Sequence, residues 1–144
     1  MFTDINNSLN SLVYKTNIIL KGKLQIFLKD FDITSEQWVM LNRLYQKDGY
    51  NQKELSIDSF KEQAAITRTL DILENKGLVE RKKSPADRRE YLIFITAQGK
   101  ELLEKSLPSA KRYRDLLDSV LDKEETEMLA SLLSKLCKGL LTDL

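Results

Sequence analysis

Two short β-runs joined by one turn, in a chain whose other apolar residues recur at three and four, leave few folds open. Residues 78–83 and 91–96 read as strands around Ser84-Pro85-Ala86-Asp87, with Leu92-Ile93-Phe94-Ile95 the clearest β-run in the sequence. A lone hairpin does not hold a core by itself. The core must therefore be helical and the hairpin must be attached to it. The tip of that hairpin, Lys83-Ser84-Pro85-Ala86-Asp87-Arg88-Arg89-Glu90-Tyr91, carries two adjacent arginines although the whole chain has a formal net charge of only +1.

The helices before the hairpin have legible starts and stops. Thr34-Ser35-Glu36-Gln37 has the form of a capping box, with Ile33 and Trp38 as the hydrophobic staple around it, and the helix it opens runs through Leu41 and Leu44 to Asp48-Gly49. Asn51-Gln52-Lys53-Glu54 repeats the cap, with Tyr50 and Leu55 as the staple pair, for a helix of about two turns. A third helix spans residues 63–75. Its Ile66, Leu70 and Leu73 face inward, its Ala64, Thr67, Arg68, Asp71 and Asn75 lie on the other face, and Lys76-Gly77 ends it. After the hairpin, Thr96-Ala97-Gln98-Gly99 caps a helix with Leu102, Leu103 and Leu107, in which Pro108 removes a backbone donor and is placed to kink it.

Helix, helix, helix, hairpin is the order of a winged helix-turn-helix. Long helices enclose it. Over residues 5–29, Ile5, Leu9, Leu12, Val13, Ile19, Leu20, Leu24, Phe27 and Leu28 recur mostly at the helical period. At the other end Leu129, Leu132, Leu133, Leu136, Cys137, Leu140 and Leu141 form an unbroken stripe, expected to lie against the first helix, with Cys137 a small buried residue within it. This frame is too long and too apolar for one copy of a three-helix core to cover, so a homodimer with interleaved terminal helices is expected. The fold class is thus mostly α with a small β-hairpin wing. Residues 1–144 form one domain, with residues 33–100 the winged helix-turn-helix part and residues 1–30 and 101–144 the helical dimerisation part.

Charge is uneven along the chain. Residues 76–89 carry Lys76, Arg81, Lys82, Lys83, Arg88 and Arg89 against Glu80 and Asp87, a net +4. Residues 115–144 carry Asp115, Asp118, Asp122, Glu124, Glu125, Glu127 and Asp143 against Lys123, Lys135 and Lys138, a net −4. One basic surface facing one anionic partner accounts for the first run, and a solvated charged face is the bland alternative. With no histidine and one cysteine, neither a disulfide within the chain, nor a zinc site of the usual ligand sets, nor a histidine-based catalytic triad is expected. No cofactor, metal or enzymatic activity is expected. Redox sensing through Cys137 is not expected either, because a sensor thiol needs an electropositive, accessible setting. The N-terminus MFTDINNSLNSLVYK lacks a basic segment followed by an apolar run, and no apolar run reaches the length of a bilayer, so a cytoplasmic, soluble protein without membrane contact is expected.

Five fragments, in order and spacing, resemble the MarR family of transcriptional regulators: Asn51-Gln52-Lys53-Glu54-Leu55; Ile66-Thr67-Arg68; residues 73–81, read LENKGLVER; Asp87-Arg88-Arg89; and Leu92-Ile93-Phe94-Ile95-Thr96 with Gly99. The resemblance covers about residues 33–103 by motif. It implies a homodimer on a pseudopalindromic operator in double-stranded DNA, usually a repressor and often released by a small ligand or an oxidant. The turn before the recognition helix departs from the family pattern of an apolar residue and a glycine. It reads Ile57-Asp58-Ser59-Phe60-Lys61, where Phe60 is expected to supply the core contact and Lys61 to offset the charge of Glu62, a poor N-cap.

The expected DNA contacts follow from helix-turn-helix docking, in which the N-terminal residues of the second helix reach base edges. They are Lys61, Gln63, Ala64, Ala65, Thr67 and Arg68, with Gln63 suited to an adenine edge, Arg68 to a guanine edge and Thr67 or the helix N-terminus to a phosphate. At the wing they are Lys83, Ser84, Asp87, Arg88 and Arg89, with Asp87 holding one arginine by a charge-assisted pair while the other enters a minor groove. An effector site is expected between frame and DNA-binding part, its aromatic walls from Tyr14, Trp38 and Tyr45 and its one cation from Arg43, for an anionic aromatic compound. Assignment of Trp38 and Tyr45 to the core is the alternative. A winged-helix adaptor for protein partners is the competing function, and it would need apolar anchors on the exposed face of the third helix.

Overall fold

The computed structural model describes residues 7–59 and 61–141; Ile5, the core contact expected of Phe60 and the charge of Asp143 lie outside the described residues. Helix α1 (Leu9–Phe27) starts at Ser8, whose hydroxyl accepts a hydrogen bond from the Ser11 amide at 3.3 Å. A short 3₁₀ turn over Lys29–Phe31 leads to α2 (Ser35–Gln46). The expected capping box is formed in both directions there: the Gln37 amide donates to the Thr34 hydroxyl at 3.1 Å and the Thr34 amide to the Gln37 side-chain oxygen at 3.1 Å.

Gly49 ends that segment with φ 77°, a left-handed conformation open to glycine at little cost. Its amide donates to the Ile93 carbonyl at 3.0 Å and begins a strand the sequence did not announce. Strand β1 (Tyr50–Asn51) pairs antiparallel with β3 (Tyr91–Ile95), which also pairs with β2 (Val79–Lys83), so the sheet has three strands in the order β1-β3-β2 rather than the two of a lone hairpin. Register in the hairpin runs from Val79 opposite Ile95 to Lys83 opposite Tyr91. Asn51 closes β1 and caps α3 (Gln52–Ser59) at once, its side-chain oxygen accepting from the Glu54 amide at 2.8 Å.

Helix α4 (Gln63–Asn75) has the expected bounds, and Gly77, at φ 73°, turns the chain so that the Leu78 amide donates back to the Leu73 carbonyl at 2.9 Å. Helix α5 (Ala97–Asp118) begins at Thr96, whose hydroxyl accepts from the Gly99 amide at 3.1 Å and donates to the Gly77 carbonyl at 2.7 Å. Gly99 is required there, since a Cβ on it would stand 2.3 Å from the Leu78 carbonyl oxygen. Pro108 lies inside α5 without breaking it.

The buried core draws on Leu24 and Leu28 at the end of α1, Met40, Leu41 and Leu44 of α2, Leu55 of α3, Ile66, Leu70 and Leu73 of α4, Ile93 and Ile95 of β3, and Leu103 of α5. It is the core of the winged helix-turn-helix and the frame contributes only the edges of it. Helix α6 (Lys123–Leu141) buries no residue at all, and the main packing of α1 is on α5 and α2. The expected pairing of the terminal stripe with the first helix is thus not made within one chain. Cys137, expected to be buried in that stripe, is exposed for the same reason. Among the described residues no helix is long and apolar enough to cross a membrane.

Candidate nucleic-acid interface

The exposed face of α4 is built as expected at its ends and differently in its middle. Ile66, Leu70 and Leu73 hold the helix on the core, while Gln63, Ala64 and Arg68 are exposed and Ala65 and Thr67 half-buried. The Arg68 guanidinium makes no ion pair among the described residues, so the alternative in which it pairs with a nearby acid is not realised. Glu62 caps α4 with its backbone only, the Ala65 and Ile66 amides donating to its carbonyl at 3.0 and 3.2 Å. Of the apolar side chains on α4, Ile72 alone is among the exposed large ones, one turn beyond Arg68.

Thr67 is not available to a phosphate. Its hydroxyl donates to the Gln63 carbonyl at 2.9 Å and accepts from the Gln52 side-chain amide, so its one hydrogen is already committed. Lys61 does not offset Glu62 either. Its ammonium lies 3.4 Å from Glu36, a carboxylate that also pairs with Lys21 at 3.3 Å, and these two cations hold the Glu36 carboxyl below its ordinary value, the Lys21 hydrogen bond contributing most. The lysine thus fastens the turn before α4 to α2 and α1.

The wing shows a similar division between side chains that build and side chains that remain free. Ser84 is buried, and its hydroxyl accepts from the Ala86 and Asp87 amides at 3.3 and 3.4 Å, which makes it a part of the turn and not of its surface. Asp87 does not hold an arginine side chain as expected. It accepts instead from the Arg89 backbone amide at 2.9 Å, the short-range bond that aspartate makes in tight turns. Arg88, Arg89 and Lys83 are exposed and without ion pairs among the described residues. Arg81 is the contrary case: its guanidinium is spent on Asp71 at 2.8 Å and Glu74 at 3.4 Å, which fixes β2 to α4 and neutralises two acids on that helix.

The four residues expected to enclose an effector are not brought together. A helix turns by about 100° per residue, so Arg43 lies on a face of α2 well away from Trp38 and Tyr45. Arg43 lines a cavity of about 140 Å³ with Lys21, Leu24, Glu36, Met40 and Lys61, and none of the three aromatics borders it. Trp38 packs against the core and donates its indole N–H to the Ser106 hydroxyl at 2.9 Å, whereas Tyr14 is 67% and Tyr45 54% exposed. The periodicity alone, applied to residues 38, 43 and 45, separates Arg43 from the two aromatics.

Two contacts had no reading from sequence, although Gln52 and Tyr50 lie in the cap and staple expected there. Gln52 reaches α4 from fifteen residues away, and nothing local signals that. The Asp58 carboxylate near the end of α3 is the main influence on the Tyr50 phenol of β1, and with burial it raises that phenol above its ordinary pKa.

Comparison with known proteins accords with this geometry. A model of the MarR family matches residues 33–91. The chain is 33% identical over 122 residues to the uncharacterized HTH-type transcriptional regulator YhbI of Bacillus subtilis (strain 168), covering 83% of this chain and 79% of that one. Among solved structures it is similar to a mutant MarR from E. coli complexed with operator DNA, with TM-score 0.86, 28% identity and coverage of 93% and 99% of the two chains. It is also similar to an S. aureus MepR-DNA complex, with TM-score 0.81, 28% identity and coverage of 92% and 98%.

Proposed function

The chain belongs to the MarR family of transcriptional regulators, and on that premise we propose that it is a sequence-specific repressor that binds double-stranded DNA as a homodimer. The observation that carries the reading is the set of cations left unpaired. Arg68 on the exposed face of α4 and Arg88 and Arg89 at the wing tip have no acid partner among the described residues, while Arg81 between them is fully engaged. An arginine with no internal use on a surface shaped like a docking face is available to an external anion. Proteins with the same fold were solved in complex with DNA, which supports that anion being DNA.

Arg68 sits where a guanine edge is read, and the wing arginines where backbone and minor groove lie. Support for the homodimer comes from α6, whose apolar stripe has no cover among the described residues of its own chain. A dimer would read two half-sites about one helical turn apart, and it represses by occlusion where those half-sites overlap a promoter.

The test is a titration of wild type, Arg68→Ala, Arg88→Ala and Arg89→Ala against the protein's own upstream DNA and a random duplex at several salt concentrations. Arg88→Ala and Arg89→Ala should weaken both duplexes alike and flatten the negative slope of log K against log salt by about 0.9 for each phosphate no longer neutralised. Arg68→Ala should cost roughly 1–3 kcal/mol on the preferred site and little on a site altered at the base pair it reads. Wing variants that bind both duplexes as tightly as wild type would remove the wing from the interface.

A further inference from the structure

We propose that Gln52 is the positioning residue of the recognition helix: its side-chain amide sets the angle between α3 and α4, and so decides which base edges α4 meets. The inference rests on the DNA-binding reading above and adds to it a residue that need not touch DNA.

Gln52 is the first residue of α3, and its Nε2 group donates to the Thr67 hydroxyl and, at 3.4 Å, to the Gln63 carbonyl. The Thr67 hydroxyl in turn donates to the same Gln63 carbonyl at 2.9 Å. With that hydrogen committed, Thr67 offers Gln52 only a lone pair, and a carbonyl offers nothing else. Two acceptors therefore fix the amide with its NH₂ toward α4, and both of its hydrogens are spent there. The triangle ties the start of α3 to the first two turns of α4.

Its leverage comes from where it lies. The turn between the helices, after Ser59, is the hinge, and Ser56 spans it with a hydroxyl bond to the Lys61 carbonyl and a carbonyl bond from the Lys61 amide at 3.2 Å. Those bonds sit beside the hinge and resist a change of angle weakly. Gln52 is seven residues from Ser59, roughly 10 Å along the helix, where a slip of about 1 Å corresponds to roughly 6° of rotation. A glycine-bearing turn would set the angle through its own backbone geometry. This turn has no glycine, and the side-chain clamp at the far end of α3 takes over the task.

The experiment selects preferred duplexes from a random-sequence library with wild-type protein, then measures Gln52→Ala, Thr67→Val and the double variant on the selected duplex and on a random one, with melting temperature and salt slope recorded for each. Gln52→Ala and Thr67→Val should each lower the preference for the selected duplex about tenfold, with the salt slope unchanged. The double variant should lose no more than Gln52→Ala alone, because Thr67 acts on the helix angle through Gln52, and Thr67→Ser should restore the preference. If Gln52→Ala does not fold, Thr67→Val against Thr67→Ser decides by the same readout. A preference kept by the variants overturns the proposal. So does an equal loss on both duplexes with a lower salt slope, which would make Gln52 a phosphate ligand. A wild-type protein that enriches no sequence overturns the DNA reading and this proposal with it.

Discussion

Leu41 and Leu133 are both leucines on the apolar stripe of an amphipathic helix. Leu41, in α2, is completely buried in the winged helix-turn-helix core, whereas Leu133, in α6, is 38% exposed and α6 buries no residue. The stripe of α6 is no weaker than that of α2, and each repeats at three and four. What separates them is where the complementary face lies. For α2 the chain supplies it within the next seventy residues, from α4, β3 and α5. For α6 the described residues supply none, and its leucines stay at the surface as an exposed apolar face. Periodicity identifies a face that must be covered, but it does not identify the cover.

The largest effect expected from this contrast is at α6. If a second copy closes the stripe, Leu133→Asp places a carboxylate in the apolar seam twice per dimer, at several kcal/mol for each charge. Equilibrium sedimentation at micromolar concentration should show wild type as a dimer and the variant as a monomer. A variant as dimeric as wild type would mean that this stripe is not the contact between copies. Leu41→Ala is the control within the chain. It should cost about 2–5 kcal/mol in a denaturant titration and leave the dimer seam untouched. A cost below about 1 kcal/mol would show that the core is not closed around Leu41.

The same contrast explains what the sequence makes legible. Caps at Thr34, Asn51 and Thr96 are short-range devices in which residues three apart satisfy each other, and the stops at Gly49 and Gly77 need only a glycine at positive φ; each is formed as expected. The inward row Ile66, Leu70 and Leu73 is equally plain, since burial follows the helical period directly. Strand β1 is invisible to such a reading because two residues have no period. Asp87 bonds a backbone amide and not the expected arginine side chain, because a local Asx bond costs less chain entropy than ordering a long guanidinium. Contacts such as Gln52 to Thr67 or Lys61 to Glu36 join elements that only the fold brings together.

Next in size is the joint between the two regions at Trp38 and Ser106, sixty-eight residues apart. Ser106 is fully buried in α5, accepts the indole N–H, and donates to the Leu103 carbonyl at 2.7 Å. Ser106→Ala leaves the indole without its acceptor and should destabilise by about 1–3 kcal/mol. Trp38 is the only tryptophan, so its emission reports the joint directly. An emission spectrum unchanged in Ser106→Ala would show that the hydrogen bond does not fix the ring, and that packing alone joins α2 to α5.

The smallest effect belongs to the second joint, where Glu36 of α2 holds Lys21 of α1 and Lys61 of the turn before α4. Its carboxyl is held below an ordinary value near 4.5 in the folded chain, first by the Lys21 hydrogen bond and then by the charge of Lys61. A folded-state pKa below the unfolded one means that the contribution is complete above the ordinary value and is lost as pH falls through the folded one. The side chain is half exposed, so solvent screening limits the gain to under about 1 kcal/mol. Glu36→Gln should therefore melt slightly below wild type at neutral pH. The gap should narrow as acid brings the wild-type carboxyl through its folded pKa, and it should shrink in high salt, because two of the three charges are reachable by counterions. A gap that is constant from neutral pH into acid, or indifferent to salt, would show that Glu36 joins the regions by its shape and not by its charge.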